Sequence, residues 1–166
     1  MLMDGEFRRR GLRDQAQIDA ETDLLLYVPP HRAPAVVRQN GVAGESGWIA
    51  VDRHTLETRF PFVYAMGDVT TIPLKLGKPL PKAGVFAHGQ ADVVARNLAR
   101  AGTGWGAGAR FEGHGFCFIE AGGGRAGSGS GDFYAELVPA LRLHPPRRWW
   151  HLGKVLYEKR WLHRWF

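Results

Sequence analysis

The strongest constraint on the fold is a series of small apolar residues at helical spacing in the middle of the chain. A proline stands before the series, where it suits the first turn of a helix, and Gly102 provides a stop after it. The members of the series are Ala83, Ala87, Ala91, Val94, Ala95 and Leu98. This spacing predicts a helix that begins at Pro81 and ends before Gly102. Because the predicted inner stripe is mostly alanine, the helix backbone can come close to whatever it faces.

Two short apolar runs before this helix predict buried strands. The first, residues 23–28, is stopped by Pro29-Pro30, and the second, residues 62–66, ends at Gly67-Asp68. The short length and the abrupt ends of both runs favour strands over helices. Each predicted strand therefore leads into a loop that begins with turn-forming residues.

A glycine-rich region follows the helix. Residues 116–119 predict a strand and residues 133–143 its hairpin partner, with the Gly-Ser run between them as the loop. Within that run, residues 122–127 match the dinucleotide-binding fingerprint, but they lead into Ser-Gly-Ser-Gly, which cannot begin a helix. We therefore interpret this segment as a flexible hairpin loop and not as a phosphate site.

The last segment, residues 149–166, contains no proline and predicts a helix with two apolar stripes. One stripe is formed by Trp150, Tyr157, Trp161 and Trp165, and the roughly opposite one by Leu152, Val155, Leu162 and Phe166. Most of the net charge of +6 lies in residues 147–166, where Glu158 is the one acid among many cations. Tryptophans and cations together favour a membrane surface. We predict that residues 147–166 form a membrane-surface helix whose aromatic stripe meets the interface while the other stripe packs on protein.

The basic, aromatic composition of this tail is also found in segments with two other roles. Docking to a partner protein is an alternative that the residue types allow. Nucleic-acid binding is not predicted, because no recognised nucleic-acid module precedes the tail.

Length and residue counts limit the classes of protein. A chain of 166 residues, 45% of them hydrophobic, is long enough for one domain with a core. The single cysteine, Cys117, excludes an internal disulfide and a cysteine-based zinc site, and the histidines show no convincing ligand spacing, so no metal is predicted.

No apolar stretch follows Arg8-Arg9-Arg10 to make a secretory signal, and none approaches the roughly 20 apolar residues that span a bilayer. We expect a protein of the cytoplasm or of the cytoplasmic side of a membrane, attached peripherally.

Two motifs beside the predicted helix have residue types that suit a ligand. At Gly67-Asp68, glycine allows close approach of the backbone, and the aspartate can accept hydrogen bonds from sugar hydroxyls. In Pro81-Lys82-Ala83-Gly84, the unpaired N–H groups and the positive dipole end of a helix lie beside a lysine. Such a helix start suits an anion, and a reduced flavin carries negative charge around N1 and the C2 carbonyl. The simpler interpretation of Gly67-Asp68 is a turn that follows a strand. The simpler interpretation of residues 81–84 is a solvated first turn of a helix.

The order of these segments resembles the sulfide:quinone oxidoreductases and their near relatives among the two-dinucleotide-domain flavoproteins. The resemblance runs from Asp23 to the Trp-rich end, and its specificity lies in order and spacing. It includes the segments 23–30, 51–58, 63–68, 80–98, 115–120 and 131–134. The fold class it implies is α/β, or α+β in the isolated fragment. The implied divisions are residues 1–22 as an upstream remnant or disordered, 23–101 as the C-terminal part of an FAD-binding domain, 102–146 as a Gly-rich loop and β-hairpin region, and 147–166 as the membrane-surface helix.

The resemblance also implies roles for individual residues. Asp68 would bind the ribityl chain of FAD with Gly67 permitting its approach, and Pro81-Lys82-Ala83-Gly84 would lie against the pyrimidine side of the isoalloxazine. Cys117 falls where these enzymes carry their C-terminal redox cysteine. From the residues alone, a small buried core residue beside two phenylalanines is the alternative. In the family this thiol works with a second cysteine from the N-terminal part, taking sulfur from sulfide and passing electrons through flavin to a membrane quinone. His31 and His88 would lie near the flavin or the quinone, and a polar surface or loop position is the alternative for each.

The sequence departs from this family by what it lacks. No strand, GxGxxG and helix unit is encoded for the FAD pyrophosphate and adenosine, and no second cysteine is present. The expectation is therefore a fragment, or one product of a split gene that associates with an N-terminal FAD-domain partner chain. Two alternatives stay open: a catalytically silent protein that binds membranes or a partner through its tail, and a flavoprotein like type II NADH dehydrogenases, which share the pair Gln90-Ala91.

Overall fold

The computed structural model describes residues 7–10, 17–20, 24, 26, 28–75, 77–136 and 138–166, the first two segments as backbone only. The chain divides into two compact units, Met1–Arg32 and Ala33–Phe166. In the first unit, strand β1 (Phe7–Arg10) pairs antiparallel with strand β2 (Gln17–Ala20).

The buried strand predicted for residues 23–28 is wrong at the residues that can be assessed. Positions 23, 25 and 27 lie outside the described residues. Leu24, Leu26 and Val28 belong to no strand and are exposed. An apolar run becomes a buried strand only where neighbouring strands take up its backbone hydrogen bonds. None of the described strands pairs with this segment.

The second unit begins with the short helix α1 (Ala35–Gln39), followed by strand β3 (Ile49–Ala50). Strand β3 pairs in parallel with β4 (Thr70–Thr71), and the sequence did not predict either strand. The segment between them folds over Leu56, whose side chain is fully buried. These elements place the Gly67-Asp68 motif immediately before β4.

The predicted strand over residues 62–66 is wrong. Phe62 has a φ of +63° and lies in a turn, and only Tyr64 makes a bridge, to Glu57. The turn forms because Pro61 has no N–H for a strand ladder, while the Val63 N–H donates to the carbonyl of Phe60. Pairing is limited to this single bridge, with hydrogen bonds from the Thr58 N–H to the Val63 carbonyl and from the Ala65 N–H to the Leu56 carbonyl, and no strand forms.

The predicted central helix is confirmed as α2 (Gly84–Thr103). It begins later than predicted, at Gly84 and not at Pro81, and it ends later, at Gly104, which has the left-handed φ of 73° expected of a helix-terminating glycine. Its buried face is shifted from the predicted stripe, of which Val94 is buried while Ala95 and Leu98 are exposed. The buried residues are Phe86, Gln90, Val93 and Val94. The three apolar ones, Phe86, Val93 and Val94, join a hydrophobic core cluster that also contains Leu56, Ile72, Leu80 and Phe111.

A three-stranded antiparallel sheet follows, in the order β5 (His114–Glu120), β6 (Ala126–Asp132) and β7 (Ala140–Arg147). Strand β5 confirms the strand predicted at 116–119. The hairpin partner predicted at 133–143 is wrong, because the Gly-Ser run itself is the central strand, with Cys117 opposite Gly129. Glycine is needed for packing at Gly127, where a Cβ would lie 2.9 Å from the backbone carbonyl oxygen of His144. Only the turn at residues 122–124, where all three glycines have positive φ, remains of the predicted loop.

Helix α3 (Arg148–Trp165) confirms the predicted terminal helix. The prediction that the aromatic stripe faces away from the protein is wrong in its first half, where Trp150 and Tyr157 pack on Phe118 of β5. Contact of this helix with a membrane stays a prediction. Gly153 lies beside the same ring, and a Cβ there would make an ordinary van der Waals contact with it at 3.7 Å. On the other stripe Leu152, Leu162 and Phe166 are exposed.

The described residues therefore form mixed α and β structure with small sheets, in agreement with the α+β class expected of an isolated fragment. Among the described helices none is both long and apolar enough to cross a membrane.

Candidate functional site

The two predicted ligand motifs lie side by side. Gly67 begins a short 3₁₀ turn, and its N–H donates to Oε1 of Gln90, 2.6 Å away on α2. The position requires glycine, because its φ is +73° and a Cβ there would lie 3.3 Å from the Cβ of Ala87. The buried amide of Gln90 thus holds the Gly67-Asp68 turn against the first turns of α2.

Lys82 connects the same two segments from the other side. Its ammonium group donates to the carbonyl oxygen of Asp68 and, at 2.9 Å, to that of Thr70. The same nitrogen lies 3.6 Å from the centre of the Trp48 ring. Partial burial lowers the pKa of Lys82, and the charge of Asp68 opposes that shift. Much of the lysine's hydrogen-bonding capacity is therefore directed at the backbone that precedes β4.

The start of α2 has no side-chain cap. Ala83 is the N-cap residue, and its carbonyl accepts from the N–H groups of Phe86, at 3.0 Å, and Ala87, at 3.1 Å. Gly84 is exposed, and nothing lies within 4 Å of where its Cβ would be. The N–H groups at the very start of the helix, with the positive end of the helix dipole, are thus accessible to an acceptor or an anion.

Cys117 lies in the middle of β5, with its side chain exposed. It borders two pockets. The first, here called the sheet-face pocket, has a volume of about 240 Å³ and is lined among others by Pro81, Ala83, Phe86, Ile119, Leu141 and Leu143. The second, here called the α3 pocket, has a volume of about 600 Å³ and is lined by Ala83, Gly84, Val85, His88, Phe116, Cys117, Phe118, Tyr157 and Trp161.

The two pockets bring most of the predicted site residues together. Cys117 shares one with Pro81 and Ala83 and the other with Ala83 and Gly84. Gly67, Asp68 and Lys82 lie on the far side of the helix start, around a small cleft with Gln90. The first turn of α2 therefore stands between the Gly67-Asp68 motif and the thiol. His31 belongs to the other compact unit, and its predicted proximity stays a prediction.

Sequence reasoning missed two residues that organise this region, Gln90 and Trp48. Gln90 is 2% exposed although it is polar. A signal existed in the sequence, because Gln90 follows Phe86 by four residues and therefore shares its helix face. Nothing near Trp48 in the sequence indicates its contact with Lys82. Within the described part of the chain, no three His, Cys, Asp or Glu side chains group closely enough to hold a metal.

Comparison with known proteins supports the resemblance in part. No family model matches the chain. The chain is 33% identical over 90 residues to the mitochondrial sulfide:quinone oxidoreductase of Schizosaccharomyces pombe, a match that covers 54% of this chain and 18% of that protein. It is 38% identical over 52 residues to the mitochondrial sulfide:quinone oxidoreductase of Mus musculus, covering 31% of this chain and 12% of that protein.

The matches thus span less than a fifth of the length of these curated relatives. Both relatives are named as mitochondrial, which lends no support to the expected cytoplasmic side. Over the matched segments the chain is similar to oxidoreductases of the sulfide:quinone type.

Proposed function

We propose that this chain supplies one wall of the flavin site in an FAD-dependent oxidoreductase of the sulfide:quinone type, together with a redox thiol and the pocket for a quinone. The observation that carries the proposal is the first turn of α2. The Gly67-Asp68 motif adjoins it on one side, and Cys117 shares two pockets with it on the other.

The residues at this helix start fit a flavin. Accessible N–H groups and a nearby Lys82 suit the pyrimidine edge, which becomes negative when the ring is reduced. The exposed carboxylate of Asp68 suits a ribityl hydroxyl, and Gly67 keeps the backbone close. The flavin, when bound, supplies a two-electron carrier between thiol and quinone. The pyrophosphate and adenosine contacts would come from an N-terminal FAD-domain partner.

Cys117 is the proposed redox residue. It is the only cysteine of the chain, so the second cysteine of the proposed reaction has to come from the partner. Sulfide attacks a disulfide between these two cysteines, one S–S bond breaks, and a new one forms to the incoming sulfur. Over the cycle sulfide sulfur loses two electrons and reaches the level of elemental sulfur, while the quinone gains two electrons and two protons. Exposure of the Cys117 side chain is compatible with that attack.

The α3 pocket is the proposed place for the quinone head group. Phe116, Phe118, Tyr157 and Trp161 supply aromatic surface around the thiol, and about 600 Å³ is ample for one substituted ring. The exposed outer stripe of α3, with the cations beside it, suits a membrane surface from which a quinone is collected.

The flavin part of the proposal is tested by FAD binding. The chain is mixed with a partner that carries the strand, GxGxxG and helix unit, and quenching of FAD fluorescence is titrated. Asp68→Ala is expected to weaken binding by about ten- to hundredfold, because a hydrogen bond to a charged group is lost. Asp92→Ala, which removes an exposed acid farther along α2, is the matched control. Equal affinities of the two variants would contradict the assignment of Asp68.

The membrane part is tested by co-sedimentation with vesicles that contain phosphatidylserine. Leu152→Glu on the outer stripe of α3 is expected to reduce the bound fraction severalfold, because it replaces apolar surface with a like charge to the lipid. Leu141→Glu is the control, since Leu141 on β7 is exposed to 57% and Leu152 to 56%. A loss of binding of the same size in both variants would show that α3 is not the attachment surface.

A further inference from the structure

Helix α3 is fastened to the protein at few points. None of its residues is buried, although it runs alongside the three-stranded sheet. Near its beginning Trp150 packs on His144 of β7, and at its end Trp165 lies edge-on to His88 of α2 at 6.2 Å. A helix held this way depends on individual contacts and not on a continuous core.

One polar cluster joins α3 to the end of β5. Oε1 of Glu120 accepts from Nδ1 of His151 at 3.1 Å and lies 3.2 Å from Nζ of Lys154. Glu158 is 3.9 Å from the same lysine, but it belongs to α3 itself and makes no link to the sheet. Glu120 is therefore the acid that ties the first half of α3 to the strand that carries Cys117.

The helix surface beyond this cluster forms a wall of the α3 pocket. Tyr157 and Trp161 stand one and two turns after Lys154, and they line the pocket opposite Phe116 and Cys117. Tyr157 also contacts Phe118 at 6.2 Å between ring centres. A change in the tilt of α3 at its first half moves this wall toward or away from the thiol.

We propose that Glu120 is a positioning residue that sets the width of the α3 pocket by holding His151 and Lys154. The ion-pair cluster fixes the approach of the helix, and the helix carries Tyr157 and Trp161 to the side of Cys117. Glu120 thereby selects for flat apolar molecules next to the thiol. This selection is a property of the pocket wall and does not require that the occupant be a quinone.

The single cysteine allows a direct test on the full chain. Cys117 is labelled with pyrene maleimide, a large flat reagent, and with N-ethylmaleimide, a small one. The selectivity is the labelling rate with pyrene maleimide divided by the rate with N-ethylmaleimide. It is normalised by dividing it by the same ratio measured for glutathione. Glu120→Ala is expected to lower this selectivity about two- to fivefold, in keeping with the modest strength of exposed ion pairs, while the rate with N-ethylmaleimide stays the same. Glu158→Ala removes a comparable charge without touching the sheet and is expected to leave the selectivity unchanged.

A double-mutant cycle shows whether Glu120 acts through the wall. Tyr157→Ala is expected to lower the selectivity as well, and adding Glu120→Ala to it is expected to change little more, because the two residues act in series. Equal selectivity in the wild-type chain and Glu120→Ala overturns the proposal. Fully additive effects in the double variant overturn it too. Neither outcome bears on FAD binding, so the proposed function is tested separately.

Discussion

Replacing Gln90 by leucine tests how the Gly67-Asp68 motif is held. The side chain of Gln90 is 2% exposed, and its Oε1 accepts the Gly67 N–H at 2.6 Å. Leucine keeps much of the volume but removes the acceptor. The amide N–H of Gly67 then loses its partner, and the turn loses its connection to α2.

The expected cost follows from that single contact. An orphaned buried amide costs about 1–3 kcal/mol, and the apolar burial of leucine offsets part of it, which leaves about 1–2 kcal/mol. For a chain of this size, such a change corresponds to a fall in Tm of about 2–8 °C. Because Asp68 follows Gly67 directly, we also expect a weaker affinity for FAD in the presence of the partner.

Thermal and urea unfolding followed by circular dichroism measure the effect. Gln39→Leu is the matched control: Gln39 is an exposed glutamine of α1, and its replacement is expected to change stability by less than about 0.5 kcal/mol. If Gln90→Leu is as stable as Gln39→Leu, the amide of Gln90 does not hold the turn and the reasoning is refuted.

Three further predictions concern single side chains. Gly67→Ala should lower the free energy of unfolding in urea by about 1–2 kcal/mol, and by more than Gly77→Ala does. Both glycines have positive φ, but only at Gly67 would the added Cβ meet a neighbour, the Cβ of Ala87 at 3.3 Å. Equal losses would count against this close contact. Tyr134→Phe removes the hydroxyl that donates to the Arg53 carbonyl at 2.8 Å. Burial raises the pKa of this tyrosine to about 12, and loss of its hydrogen bond is expected to lower the free energy of unfolding by about 0.5–1.5 kcal/mol. Tyr157→Phe, at an exposed tyrosine, is expected to cause no change. The hydrogen bond from Lys154 and, after it, that from His151 lower the pKa of Glu120 below 4.5, so its contribution is present above pH 4.5 and is lost as the pH falls through the lowered value. The Tm values of wild type and Glu120→Ala should therefore differ at neutral pH and converge in acid, and a constant difference would exclude this ion pair.

Local patterns were sufficient for the elements whose residues carry a clear signal. Helix α2 follows from apolar spacing, β5 from a run of bulky residues, and α3 from a long segment without proline. Strand β6 could not be predicted, because glycine and serine have little preference for strands. It exists because β5 and β7 supply partners on both sides and because only small residues fit beneath Leu141 and Leu143.

The site was predictable to a similar degree. The order of motifs predicted that residues 67–68 and 81–84 belong to one site, and Gly67, Asp68 and residues 81–83 line one cleft with Gln90. The contacts of Lys82 with backbone carbonyls and with Trp48 could not be predicted, because Trp48 is distant in the sequence. The side of α3 that contacts the sheet was also beyond prediction, because both stripes are apolar and the contact depends on Phe118, which packs on Trp150 and Tyr157.

The most direct measurement is anaerobic bleaching of the visible flavin band by sulfide, with the chain, FAD and the N-terminal partner present together. The proposed role of Cys117 predicts bleaching in the wild-type complex and a rate lower by about a thousandfold or more in Cys117→Ser, with the FAD content unchanged. Bleaching at the wild-type rate in Cys117→Ser would contradict the claim that this chain supplies the redox thiol.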